Sequence, residues 1–97
     1  MTELLLRPAA AADLEEAAIW YEGQRPGLGE EFLEAAEAAV KRILASPKGH
    51  TVLYKDRRRA LLERFPYSLV YRLINDQVVI IGVVHAKRSP SVWRRRS

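Results

Sequence analysis

Residues 78–84 read Val-Val-Ile-Ile-Gly-Val-Val, a run without one polar side chain. A strand with a solvated face alternates apolar and polar residues, so a run this uniform must be covered on both faces, at least in part. The preceding segment, Tyr67 to Ile74, is a second strand. Asn75-Asp76 between the two tolerates positive φ and predicts a tight hairpin turn. Gln77 to His85 is therefore expected at the centre of a sheet. It runs straight into ionisable groups: His85, Lys87 and Arg88, then Arg94, Arg95 and Arg96. A rigid strand that ends in concentrated positive charge is a platform for something anionic.

The rest of the chain supplies the cover. Glu3 to Arg7 predicts a short strand ended by Pro8. Ala9 to Tyr21 predicts a helix, with Leu14, Ala17 or Ala18, and Tyr21 at helical spacing. Gly23, Pro26, Gly27 and Gly29 break it. A second helix is expected from Leu28 to Ala45, with Phe32, Ala35 or Ala36, Ala39, Val40 and Ile43 as its apolar stripe. Its acids sit early and Lys41 and Arg42 late, which matches the helix dipole. Ser46-Pro47 ends it. Thr51 to Tyr54 and Arg58 to Arg64 read as further strands. The expected fold is α+β: an N-terminal strand, an antiparallel αα-hairpin, then an antiparallel meander of three to four strands with the helices on one face. Phe32, Val40, Ile43, Leu69, Val79 and Ile81 are expected in its core.

A chain of 97 residues is one domain, spanning 1–97. It has no cysteine, hence no disulfide framework and no thiolate metal site, as suits a reducing cytoplasm. No apolar run approaches the roughly 18 residues of a membrane span. The N-terminal apolar stretch is too short for a signal peptide. The net charge of +4 is unevenly spread. Residues up to Glu37 hold nine acids and two bases, and residues from Ala38 onward hold fourteen bases and three acids. Charge segregated in this way implies separate faces or separate partners.

Four groups of residues bear on function. His85 leaves the central strand close to Lys87 and Arg88, and a histidine there is able to move protons near neutral pH. Equally, it serves as a strand-end residue bonded to backbone. Arg57, Arg58, Arg59 and Arg64 form the second group. Strand alternation sends Arg58 and Arg64 to one face and Arg57 and Arg59 to the other. Arginines on an open face suit phosphates, and elsewhere they pair with acids. The third group is aromatic: Tyr54, Phe65, Tyr67, Tyr71 and Trp93. Tyr67, Leu69, Tyr71 and Leu73 share a face by period two, which favours packing over base stacking. The last is Trp93-Arg94-Arg95-Arg96, a basic tail that Trp93 is expected to anchor on the sheet. With two histidines and no cysteine there is no metal-ligand cluster. No Gly-rich phosphate loop or nucleophile elbow is present either. The residues alone describe a basic-faced domain that binds an acidic partner or nucleic acid.

Several features in order resemble the RelE/ParE superfamily of toxins from bacterial type II toxin–antitoxin modules. They are Ala12-Asp13-Leu14, Pro26-Gly27-Leu28-Gly29, Phe32, Pro47, Arg58-Arg59-Ala60-Leu61-Leu62, Arg64-Phe65-Pro66-Tyr67, Val70-Tyr71, Val84 through Pro90, and Trp93. The His85-x-x-Arg88-x-Pro90 ending and the Phe65-Pro66-Tyr67 strand resemble the ParE-like, plasmid-stabilisation branch. That resemblance implies a protein that inhibits DNA gyrase by contact, without cofactor or metal. It also implies a cytoplasmic hetero-oligomer in which an acidic antitoxin neutralises the toxin. Arg58, Arg64, His85, Lys87, Arg88, Trp93, Arg94, Arg95 and Arg96 are the expected partner-binding residues. The alternative is a RelE-like endoribonuclease acting on mRNA at the ribosome, with His85, Arg64, Lys87 and Arg88 as candidate catalytic residues. The chain lacks the C-terminal tyrosine that many such nucleases place at the cleavage site. A third reading is a non-toxic module that only binds an antitoxin.

Overall fold

The computed structural model describes residues 3–88 and 90–97. The elements are β1 (Glu3–Leu6), α1 (Pro8–Gln24), α2 (Leu28–Ala45), β2 (Thr51–Tyr54), β3 (Arg57–Leu61), β4 (Tyr67–Ile74), β5 (Gln77–His85) and α3 (Ser91–Arg94). One sheet has the order β1-β5-β4-β3-β2. Strands β2 to β5 form the expected antiparallel meander, and β1 lies parallel to β5. The class is α+β, with an αα-hairpin between the first two strands.

Local chemistry explains most boundaries. Pro8 opens α1 as well as closing β1, because a first-turn residue needs no N–H partner. The helix runs on to Gln24, past the Tyr21 expected from the periodicity. Gly27, at φ 88°, turns the chain into α2. The Glu22 carboxylate accepts from Gly27 N at 2.9 Å and Gly29 N at 3.0 Å, so it caps the next helix from outside. A side chain at Gly29 would put Cβ 2.6 Å from Ala18 O, so the helices need glycine where they meet. Asn75 and Asp76 have φ of 50° and 63°, the left-handed pair of a tight hairpin turn.

Both faces of β5 are covered, as the apolar run requires. Toward the helices, Phe32, Ile43, Leu69, Tyr71, Val78 and Ile80 form the larger cluster. Tyr21, Phe32, Phe65 and Tyr67 interlock there with ring centroids 4.9–6.1 Å apart. Tyr71 is fully buried and its hydroxyl donates to Pro47 O at 2.6 Å. On the opposite face Val70, Val79, Ile81 and Val84 pack with Trp93. Of the expected core, only Val40 is merely half-buried.

Two further features depart from the sequence reading. Strand β3 ends at Leu61 rather than Arg64. Arg64 sits beyond it in the left-handed region at φ 71°, so the period-two argument never reaches it. The sequence pattern does not predict the four-residue α3, because one turn is too short to show a period.

Candidate functional site

A bulge in β5 creates the site. Val70 pairs with Gly82 and Tyr71 with Ile80, which leaves Ile81 as the extra residue. Past the bulge the parity of the strand flips: Val78 and Ile80 face the helices before it, and Val83 does so after it. Strand β1 pairs only with residues 77–80, so the edge of β5 beyond it needs other partners. Asp13 of α1 accepts from Val83 N at 3.0 Å. The Arg96 guanidinium grips both Asp13 oxygens and donates to Ile81 O at 3.2 Å. Gly82 permits this. A Cβ there would come within 3.1 Å of Arg96 Nη1.

Beside this anchor, α1 and the end of β5 leave a groove of about 460 Å³. Asp13, Glu16, Trp20 and Tyr21 line the helix side, with Pro66, Tyr67, His85 and Arg88 opposite. Trp20 is 58% exposed and its neighbour Ile19 64% exposed. His85 Nδ1 accepts from Lys87 N at 3.0 Å, which places the neutral ring's proton on Nε2. The His85 ring meets Tyr67 edge-on at 5.1 Å. Burial pushes the Tyr67 phenol above its ordinary value; Arg88 opposes the shift, and Glu16 and Asp13 add to it. Burial, aided by Tyr67, likewise raises the Tyr21 phenol.

The structure separates the residues expected to act together. His85 and Arg88 share the groove. Lys87 enters through its backbone, and its side chain is exposed. Arg58 lies opposite Tyr71 on the helix-covered face and donates to Lys48 O and His50 O. Arg64 pairs with Glu31, which also holds Arg25. These hydrogen bonds, Arg64's first, hold the Glu31 carboxyl below its ordinary value.

The face opposite the helices carries Arg57, Arg59 and Arg72 instead. Arg57 and Arg72 converge on Asp56, and Arg57 also donates to Arg96 O at 2.9 Å. Trp93 is 6% exposed and packs near Tyr54, so it anchors the tail as expected. Arg94 stacks over the Tyr54 ring at 4.6 Å. Arg95 is exposed. Arg96 is committed to the Asp13 anchor.

Asp13, Glu16 and Trp20 line the groove and Ile19 is exposed beside it, none of them an expected site residue, while Tyr67, expected only to pack, lines it too. A signal existed for two of them. Ile19 and Trp20 lie off the Leu14–Ala17–Tyr21 stripe, so the helix that buries this stripe must show them to solvent.

The profile of the ParE toxin of type II toxin–antitoxin system, parDE, matches residues 4–90. The chain belongs to the ParE toxin family. Solved structures agree on the fold. The chromosomal ParDE TA system from P. aeruginosa superposes with a TM-score of 0.67 at 23% identity, covering 88% of this chain and 96% of that one. The isolated E. coli RelE toxin gives 0.66 at 22% identity, covering 95% of this chain and 92% of that one. No curated protein sequence matches the chain. The match makes the chain a toxin of the type II toxin–antitoxin class. Among the described residues no helix is long and apolar enough to cross a membrane.

Proposed function

We propose that this ParE-family toxin acts in the cytoplasm by contact, binding and inhibiting DNA gyrase, and that an acidic antitoxin neutralises it. The observation that carries this reading is the groove beside α1. An exposed indole next to Arg88 and His85 is the composition of a protein-binding hot spot. Glu16 faces the same groove, and a polyanionic strand lying there would meet its carboxylate, while that of Asp13 is already paired with Arg96. A peptide with an apolar anchor and a single acid fits better. The basic second half of the chain steers such an acidic partner inward.

A second reading has one observation in its favour. Tyr67, His85, Arg88 and Glu16 surround a single groove, and these are the group types a ribonuclease uses to activate a 2′-hydroxyl and hold phosphorane charge.

Purified toxin assayed for gyrase supercoiling and for cleavage of ribosome-bound mRNA separates the two. The expected outcome is loss of supercoiling with mRNA intact, and His85→Gln retaining the inhibition. A nuclease using His85 as acid or base should instead lose about 10²–10⁴ in rate. Trp20→Ala should leave the melting temperature nearly unchanged and weaken antitoxin affinity by roughly 2 kcal/mol. An unchanged affinity would move the docking site elsewhere.

A further inference from the structure

We infer that β1 is a self-association edge, through which two copies of the chain join their sheets. Natural sheets protect their edges with charges, proline or bulges. Strand β1 presents three successive leucines, Leu4, Leu5 and Leu6, at 40%, 40% and 48% exposure. Arg7 N donates to Ile80 O at 3.0 Å, so the backbone groups of odd-numbered residues in this segment face β5. By alternation, those of Leu4 and Leu6 point away from the sheet.

A second β1 laid antiparallel, with Leu5 opposite Leu5 on the two-fold axis, uses this pattern fully. Leu4 and Leu6 of each copy form the hydrogen-bonded pairs. The same register sets Glu3 of each copy opposite Arg7 of the other, in the non-hydrogen-bonded positions where side chains approach most closely. The sequence Glu3-Leu4-Leu5-Leu6-Arg7 is thus self-complementary in shape and charge. Glu3 Oε2 already accepts from Gln77 and Arg7 Nε donates to Ser97 O. Among the described residues, those contacts leave Glu3 Oε1 and the Arg7 Nη groups to pair across the junction. Leu5 neighbours Val79 on the open face, while Leu4 and Leu6 neighbour Val78 and Ile80 on the helix face. Pairing therefore extends both apolar clusters across the junction.

Sedimentation equilibrium on the full chain alone tests the contact. The expected species has twice the 11.1 kDa chain mass. Glu3→Arg sets like charges opposite at two symmetric positions and should raise the dissociation constant at least about tenfold. The double change Glu3→Arg with Arg7→Glu restores the pairs and should return it to within about threefold. Leu5→Lys places two cations on the axis and should abolish the dimer. All three sites are exposed, so at concentrations too low for the dimer to form each variant should melt close to the parent chain. A chain that stays monomeric up to about millimolar concentration would overturn the inference, as would a dimer indifferent to these changes.

Discussion

On one face of the sheet, two long helices bury Phe32, Ile43, Leu69, Tyr71 and Ile80. On the other, Val70, Val79, Ile81 and Val84 are covered by Trp93 from a four-residue helix. The first cover is held by apolar area. The second depends on polar ties as well: Arg57 to Arg96 O, Arg7 to Ser97 O, and Arg96 to Asp13. Apolar burial is non-directional and cooperative across the cluster. A few polar ties at a chain end open locally at lower cost. The difference separates a permanent core from a cover that can loosen while the fold persists.

The largest expected effect breaks the first face. Phe32→Ala should cost about 3–5 kcal/mol, a large part of the stability of a domain this size. Trp93→Ala should cost less in global unfolding, about 1–3 kcal/mol, because detaching the tail limits the loss. Urea midpoints measure both, and amide exchange across residues 90–97 should accelerate only in the Trp93 variant. Equal losses would show that the two faces form one cooperative core.

How much of this contrast is legible in sequence depends on period. The run 78–84 demands cover on both faces, and the Phe32–Ile43 stripe identifies one of the covers. Trp93 hints at the other, yet α3 has no period to read. The bulge is also invisible, because Ile81 and Gly82 look like any other step in an apolar run. It nevertheless decides the site, since it flips the strand and brings Val83 N to Asp13. Alternation separates Arg58 from Arg57 and Arg59 correctly, but it cannot say which face the helices take. They take the face of Arg58. Extrapolating the period to Arg64 fails because the strand ends first. Trp20 was legible in principle, as an apolar residue off its helix's buried stripe.

A middle-sized effect sharpens the comparison at the anchor. Asp13→Ala removes the partner of Val83 N and of Arg96 together. An unsatisfied backbone donor and a lost ion pair should cost about 1–3 kcal/mol. Gly82→Ala tests the same anchor from the strand side. Its new methyl meets the end of a flexible arginine, so the core should hold while exchange in the tail quickens. If Gly82→Ala leaves tail exchange unchanged, the approach of Arg96 to the bulge is not what fastens the cover.

The smallest effect compares two carboxylates, one on each side of the sheet. Glu31 joins Arg64 and Arg25 near the helices. Asp56 joins Arg72 and Arg57 on the opposite side, and its carboxyl is held down chiefly by the Arg72 hydrogen bond, against an opposing effect of burial. Both carboxyls have folded values below their unfolded ones. Their contribution is therefore present above the ordinary carboxylate range and disappears as pH falls through the folded values. Both sites are well solvated, so each contribution is small. Glu31→Gln and Asp56→Asn should each flatten the loss of stability between neutral and acid pH. The consequences differ by face. Protonating Asp56 removes a tie on Arg57, the residue that holds Arg96 O. Acid should therefore lower the protection of the tail amides, measured against their intrinsic exchange rate at each pH, while Phe32 and its neighbours remain protected. Asp56→Asn should show fast tail exchange already at neutral pH, and Glu31→Gln should not.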